Sequence, residues 1–198
     1  MDRQMKALFI FASRMLSYPA DRLPENEMKE FIMETVQSEK IRQAIFAACN
    51  DLYDLSSQEI QEWYVQTFDL KSKSGLYLTA HELGDSNKRG AALIKLQKMI
   101  NLAGFERNEG ELADYLPMLF EFLVVAEETE AKARLYRRLS IVVHRIATSI
   151  HEGNPYFKTL QILIEHVFLK PSEEEVKRLE NRREEADLEE LPYPIMYQ

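Results

Sequence analysis

The sequence predicts an all-α protein, a single-domain helical bundle. Three observations predict it. Apolar residues recur at three- and four-residue steps along most of the chain, the spacing of one buried helix face. Helix-start residues (Ser, Asp and Asn, two of the serines with Glu three places later) open several of these runs. Six Gly and seven Pro in 198 residues are too few for a turn-rich β-sandwich.

Met5, Leu8, Phe9, Ala12 and Leu16 define the first helix, which must end before Pro19. A second is expected over residues 25–36 with Met28, Phe31 and Ile32 inward. A third, over 38–53, turns Ile41, Ile45, Ala48, Cys49 and Leu52 inward. Ser56 with Glu59 is a capping box, each side chain satisfying a backbone N–H of the other. The helix it opens carries Ile60, Trp63, Tyr64, Thr67 and Phe68 and stops near Asp69. Gly84-Asp85-Ser86 reads as the next start, with Asp85 or Ser86 as cap. The helix over 86–103 presents Leu93, Leu96, Ile100 and Ala103 inward, and Gly104 closes it.

Asp114 then reads as a cap, with Pro117 tolerated in the first turn because its missing N–H would be unpaired there. The run from Met118 to Ala126 is apolar nearly all round, which predicts a central helix. Glu121, its one charge, must find a partner or lie at an opening. A long amphipathic helix over 129–150 buries Leu135, Leu139, Val142, Val143 and Ile146. Asn154-Pro155 reads as cap and first residue of a last core helix using Phe157, Leu160, Leu163, Ile164 and Val167. Residues 1–170 therefore form the helical domain. Residues 171–198 form an acidic, partly helical tail, opened by the Ser172–Glu175 capping box and fraying into Leu191-Pro-Tyr-Pro194. No repeat of solenoid period is present.

The net charge, 25 − 33 = −8, argues against nucleic acid as the main partner and suits a basic peptide or surface. Hydrophobic residues at 45% supply an ordinary core. The single Cys49 excludes an internal disulfide and a thiolate metal cluster, and its apolar setting reads as core. The start of the chain does not read as a secretory signal: its apolar run is short and Arg14 follows. No stretch approaches a membrane span, so stable membrane insertion is not expected and the cytoplasm is the default location.

No catalytic constellation emerges. His81, His144, His151 and His166 lack the Glu three residues before them that a carboxylate-bridged dimetal bundle uses. There is neither an HExxH nor a glycine-rich phosphate loop. His144 and His151 stand two turns apart if one helix holds both, a poor metal pair. Asp51 and Asp54 read as a solvated face near a helix end. Arg134, Arg137, Arg138 and Arg145 read as a stripe of local ion pairs with Glu127, Glu128 and Glu130, or as a site for an acidic partner. No catalytic residue, metal or cofactor is assigned.

Two segments are not explained by helix patterning alone. YVQTFDLKSKSGLYL, residues 64–78, sets aromatic clusters at both ends of a polar bridge, and continues through TAHELGDSNKRG, residues 79–90. ELADYLPMLFEF, residues 111–122, is the second. In series they supply Tyr64, Thr67, Phe68 and Asp69; then Leu76, Tyr77 and Leu78; then Gly84, Asp85, Arg89 and Gly90; then Glu111, Asp114, Tyr115, Leu116, Pro117, Phe120, Glu121 and Phe122.

This order and spacing, over residues 56–125, resembles the NarJ family, the system-specific chaperones that assemble respiratory nitrate reductase and related molybdoenzymes. Ala113 stands where that family usually has Pro, and Asn87-Lys88 replace a more arginine-rich pair. The resemblance implies an all-helical, TorD-like fold that catalyses nothing. It implies binding of the N-terminal segment of the apo catalytic subunit, held in the cytoplasm until iron–sulfur and molybdenum cofactors are inserted. Molybdenum cofactor delivery proteins are a further partner class.

An amphipathic client helix needs an apolar groove and groups that fix its direction. Phe68, Tyr77, Leu78 and Tyr115 supply the first if the loop folds over the central helix. Asp69, Asp85, Asp114 and Glu121 supply the second by receiving basic residues. With Tyr64 and Arg89 these ten are the candidate partner-binding residues. The alternative stays open that the aromatic residues are core, and that the carboxylates cap helices, one of them paired with Arg89. A generic helical scaffold binding another partner helix, and an unrecognised helical enzyme, are the competing functions.

Overall fold

A computed structural model describes residues 1–19, 24–105 and 110–189, with side chains placed through Arg183. It is all-helical. In chain order the helices are α1 (Arg3–Leu16), α2 (Glu25–Thr35), α3 (Glu39–Tyr53), α4 (Ser57–Tyr64), α5 (Leu78–Leu83), α6 (Asn87–Leu102), α7 (Leu116–Val125), α8 (Glu130–Ser149), α9 (Phe157–His166) and α10 (Glu173–Glu189). Among the described residues the extended pairing is a single antiparallel bridge, Tyr77 with Tyr115.

The core forms around α1 and α7. α1 packs on both α7 and α9, and α9 also receives α3 and α8. Leu8, Phe9, Phe11, Ala12 and Leu16 of α1 are shut off from solvent, because their spacing collects them on one face. Phe9 sits 5.6 Å from Phe120 and 5.5 Å from Phe168 between ring centroids, a tilted and an edge-on contact that fix the α1–α7–α9 junction. The α1–α7 packing also gives Glu121 its partner: the Ser13 hydroxyl donates to the carboxylate at 2.9 Å.

Side-chain caps hold the starts of α4, α8 and α10. Ser56 and Glu59 form the reciprocal box, Thr129 accepts from the Lys132 N–H at 3.2 Å, and Ser172 and Glu175 pair at the start of α10. Gly104 closes α6 with φ +70°, a conformation that strains a residue carrying Cβ.

The structure differs from the sequence expectation at several places. Residues 78–83, to which the sequence pattern assigns no helix, form α5. Residues Val65–Asp69 leave the α-helical path for one π turn, with Leu70 N–H reaching the Val65 carbonyl at 3.1 Å. Ser86 holds the cap position of α6 without a side-chain cap bond, and Ala103 is exposed. Asn154 is not the cap of α9. Its amide donates to Thr67 Oγ1 at 2.7 Å and its carbonyl accepts from Tyr156 N–H at 2.9 Å, making an Asx turn that binds the π turn to α9. α8 ends at Ser149, so His151 lies beyond it and does not share a helix with His144.

The arginine stripe of α8 makes long-range as well as local pairs. Arg134 pairs with Glu130 one turn away. Arg138 makes a bidentate contact with Glu82 of α5 at 2.7 and 2.6 Å, and Arg137 pairs with Glu175 of α10. α10 therefore lies against α5 and buries Leu179, although most of its other described side chains are exposed. The expected fraying at Leu191–Pro194 falls outside the described residues.

Candidate functional site

The two unexplained segments meet in space. Leu78 N–H donates to the Asp114 carbonyl and Leu116 N–H to the Leu76 carbonyl, both at 2.9 Å. This two-bond ladder ties the start of α5 to the start of α7. Asp114 then crosses the ladder. Its carboxylate, with no solvent exposure, accepts from the Thr79 N–H at 3.0 Å and the Thr79 hydroxyl at 2.5 Å. Asp114 was expected to cap the helix that follows it. It caps α5 instead, satisfying a first-turn N–H that α5 has no local residue to receive. Arg89 of α6 joins the same group, donating to Thr79 Oγ1 at 3.2 Å and lying 3.8 Å from the Asp114 carboxylate. One buried carboxylate thus positions α5, α6 and α7 together.

The polar bridge between the aromatic clusters is pinned from below. Ser74 donates to the Thr67 carbonyl. His81 Nε2 meets the Gly75 carbonyl at 2.7 Å. His81 is 1% exposed, and burial holds its pKa down to about 4, so the ring is neutral and donates from Nε2. Gly84, buried with φ +55°, ends α5 in a conformation that favours glycine and lets the chain turn into α6.

Above this brace lies an aromatic group. Tyr64 packs edge-on against Phe68 at 5.1 Å and Tyr18 at 5.2 Å, and Tyr77 tilts against Tyr115 at 5.5 Å. The Tyr64 and Tyr115 hydroxyls meet at 3.0 Å. Thr67 and Phe68, both in the π turn, are buried. Tyr156, fully buried, backs Phe68 at 4.8 Å.

The candidate residues therefore divide by exposure. Tyr64, Phe68, Leu78, Asp114 and Tyr115 are buried. Tyr77, Arg89 and Glu121 are half-buried, and Asp69 and Asp85 are exposed. Asp85 lies 3.7 Å from Arg89, with its side chain almost wholly in solvent. Glu121 faces Ser13 and does not join the group. Asp69 follows Phe68 in the chain; partial desolvation raises its pKa, and its charge adds a lesser contribution to the burial that raises the pKa of Tyr64 and Tyr77.

Three apolar side chains at the rim escape any reading of helix faces: Tyr18, Leu70 and Leu112, 46%, 72% and 43% exposed. Tyr18 touches the cluster in space, and Leu70 and Leu112 neighbour its residues in the chain. Tyr18 packs edge-on against Tyr64, Leu70 follows Asp69, and the Leu112 carbonyl accepts from the Tyr115 N–H at 3.1 Å. Glu111, 3.5 Å from the Tyr77 hydroxyl, adds a second carboxylate. The result is an aromatic patch in which Tyr18, Tyr64, Tyr115 and Tyr77 touch in series, Glu111 lies beside Tyr77, and Asp69, Leu70 and Leu112 are neighbours in the chain. Exposed apolar side chains gathered this way mark interaction surfaces more often than scattered ones do. Among the described residues no three His, Cys, Asp or Glu side chains gather to hold a metal, and no helix is long and apolar enough to cross a membrane.

The fold and the brace define an all-helical, single-bundle protein whose distinguishing sequence segments converge where α5, α6 and α7 begin. The model of the family described as nitrate reductase delta subunit matches residues 31–148, more than half of the chain. The chain belongs to that family. It is 30% identical over 166 residues to the Bacillus subtilis (strain 168) protein named "Probable nitrate reductase molybdenum cofactor assembly chaperone NarJ", covering 82% of this chain and 88% of that one. It is 28% identical over 127 residues to NarJ of Escherichia coli (strain K12), named a nitrate reductase molybdenum cofactor assembly chaperone, covering 62% and 53%. NarW of the same strain, named as a chaperone of the same kind, is 26% identical over 126 residues, 64% and 54% of the two chains. These relatives are named as chaperones, not as enzymes.

Proposed function

We propose that this chain is an assembly chaperone. It binds the N-terminal segment of the apo catalytic subunit of a nitrate reductase or a related molybdoenzyme. It keeps that subunit competent for insertion of iron–sulfur and molybdenum cofactors, and acts by binding, not by catalysis. The cytoplasm, where cofactors are inserted, is its proposed place of action, with molybdenum cofactor delivery proteins as further partners.

The observation that carries this reading is the convergence of the family's segments on the aromatic patch. A client helix brings apolar residues at three- and four-residue steps, and Tyr18, Leu70, Tyr77 and Leu112 offer an apolar surface for them. Asp69 and Glu111 favour a basic residue beside that stripe, and the net charge of −8 favours encounter with a basic segment. Tyr64, Phe68, Leu78, Asp114 and Tyr115 serve from beneath, holding the patch in shape. Asp85, Arg89 and Glu121 set the helices around it.

Calorimetric titration of the full chain with a synthetic N-terminal client peptide, against a scrambled control, tests this. The native peptide binds saturably and the scrambled one does not. Asp69→Asn with Leu70→Ser weakens binding about tenfold, as loss of a charge contact and an apolar contact predicts, without lowering the melting temperature. Binding that ignores both substitutions would point to another surface. Absence of binding to any molybdoenzyme N-terminus would leave a generic scaffold as the better account.

A further inference from the structure

We propose a second docking surface, for an acidic amphipathic helix, in the groove between α6, α7 and the start of α8. The groove is open and encloses about 790 Å³. Phe122 floors it and Met99, Leu102 and Val125 wall it. Leu102 is 89% exposed and Val125 62%, so two large apolar side chains stand in solvent across one concavity. α6 buries only Leu96 and Ile100 fully and packs chiefly on α5, which leaves its C-terminal half with an apolar side uncovered. An apolar trough between helices accepts a helix through residues at three- and four-residue steps.

Charge selects the kind of helix. In a chain of net charge −8, residues 87–102 hold Lys88, Arg89, Lys95 and Lys98 and no Asp or Glu. Arg89 is spent on the Asp114 brace. Lys95 and Lys98 are exposed on the rim of the groove. Lys132, at the other wall, is buried and already bound to the Ala126 carbonyl and Glu128. Glu127 is the one carboxylate among the lining residues. The rim along α6 is therefore a cationic edge beside an apolar trough. A helix with a leucine stripe and carboxylates on the flank facing α6 fits it; a basic one does not.

This surface shares no lining residue with the aromatic patch and does not rest on the chaperone reading. The patch lies at the N-terminal end of α7 and the groove along its C-terminal half. The two differ in sign: carboxylates edge one and lysines the other. Two segments of opposite charge can thus be held on one chain without competing.

The test uses two synthetic helices of about four turns with the same leucine stripe, one flanked by Glu and one by Lys. Each is titrated into the full chain by fluorescence anisotropy. The Glu-flanked helix binds saturably and at least about tenfold more tightly than the Lys-flanked one, with affinity falling as salt rises. Lys95→Glu with Lys98→Glu reverses the preference. Leu102→Asp, at an exposed position where folding is not at stake, abolishes binding of both, with circular dichroism confirming an unchanged melt. Equal binding of the two helices, or no saturable binding of the Glu-flanked one, overturns the proposal. So does sedimentation showing that the free chain self-associates through this groove and that Leu102→Asp releases monomers.

Discussion

Replacing Asp114 by Ala lowers the stability of the chain by about 3–5 kcal/mol, the range for removing one partner of a buried charged pair. The size follows from how much one carboxylate holds. Its loss leaves the Thr79 N–H unpaired in the interior and Arg89 without its buried counter-charge. The backbone ladder between α5 and α7 survives, but the carboxylate's links to Thr79 of α5 and Arg89 of α6 are lost. Asp114→Asn retains an acceptor for Thr79 and forfeits the charge, so it costs less, about 1–2 kcal/mol. Urea titrations of the three proteins, read as shifts in midpoint at constant slope, measure both values. Equal, small losses for the two variants would mean that the brace is not held by Asp114.

The second large effect is loss of stability in acid through His81. Its ring is buried, and its pKa is about 4 in the folded chain against 6.5 for the free side chain. The neutral form is the one the fold favours. Above the unfolded-state pKa neither state is protonated, and the contribution is fully present. As pH falls from 6.5 towards 4 the unfolded chain takes up a proton that the folded chain refuses, so stability is lost across that window. The full shift corresponds to about 3 kcal/mol. His81→Gln keeps an N–H donor for the Gly75 carbonyl and has no such titration. The wild-type chain therefore loses about 2–3 kcal/mol more than the variant between about pH 7 and pH 4.5. Parallel pH profiles for the two would remove His81 from the account.

What the sequence disclosed depended on whether the determining contact was local. α1, α3 and α8 were legible because their apolar residues repeat over several turns, and α4 and α10 because Ser56 with Glu59 and Ser172 with Glu175 are capping boxes within four residues. α5 was not. It has six residues, and the carboxylate that caps it arrives from Asp114, 35 positions later. The π turn was hidden for the same reason: Asn154 and Ser74, distant and near, bond to Thr67 and hold it. Asn154 was misread as a cap because its long-range bond to Thr67 cannot be seen from its neighbours.

The candidate site shows the same division. The motif residues Tyr64, Phe68, Tyr77, Asp114 and Tyr115 were picked out by resemblance, and they do converge. Their burial was not legible, since an aromatic residue in a motif looks alike whether it lines a surface or supports one. Tyr18, Leu70 and Leu112 carried no signal of their own and emerged only when the rim was assembled. Nothing in the nearly all-charged acidic tail signals where it packs. Leu179 and the Arg137–Glu175 pair are enough to lay α10 on its neighbours.

The central claim is that the aromatic patch receives the client segment. Hydrogen–deuterium exchange of the full chain with and without the N-terminal client peptide tests it most directly, because it reports where the peptide lies. Protection concentrated in residues 64–78 and 111–118 is the result this account predicts. Protection confined to residues 95–103 and 122–132, or to α10, with the patch unchanged, would contradict it.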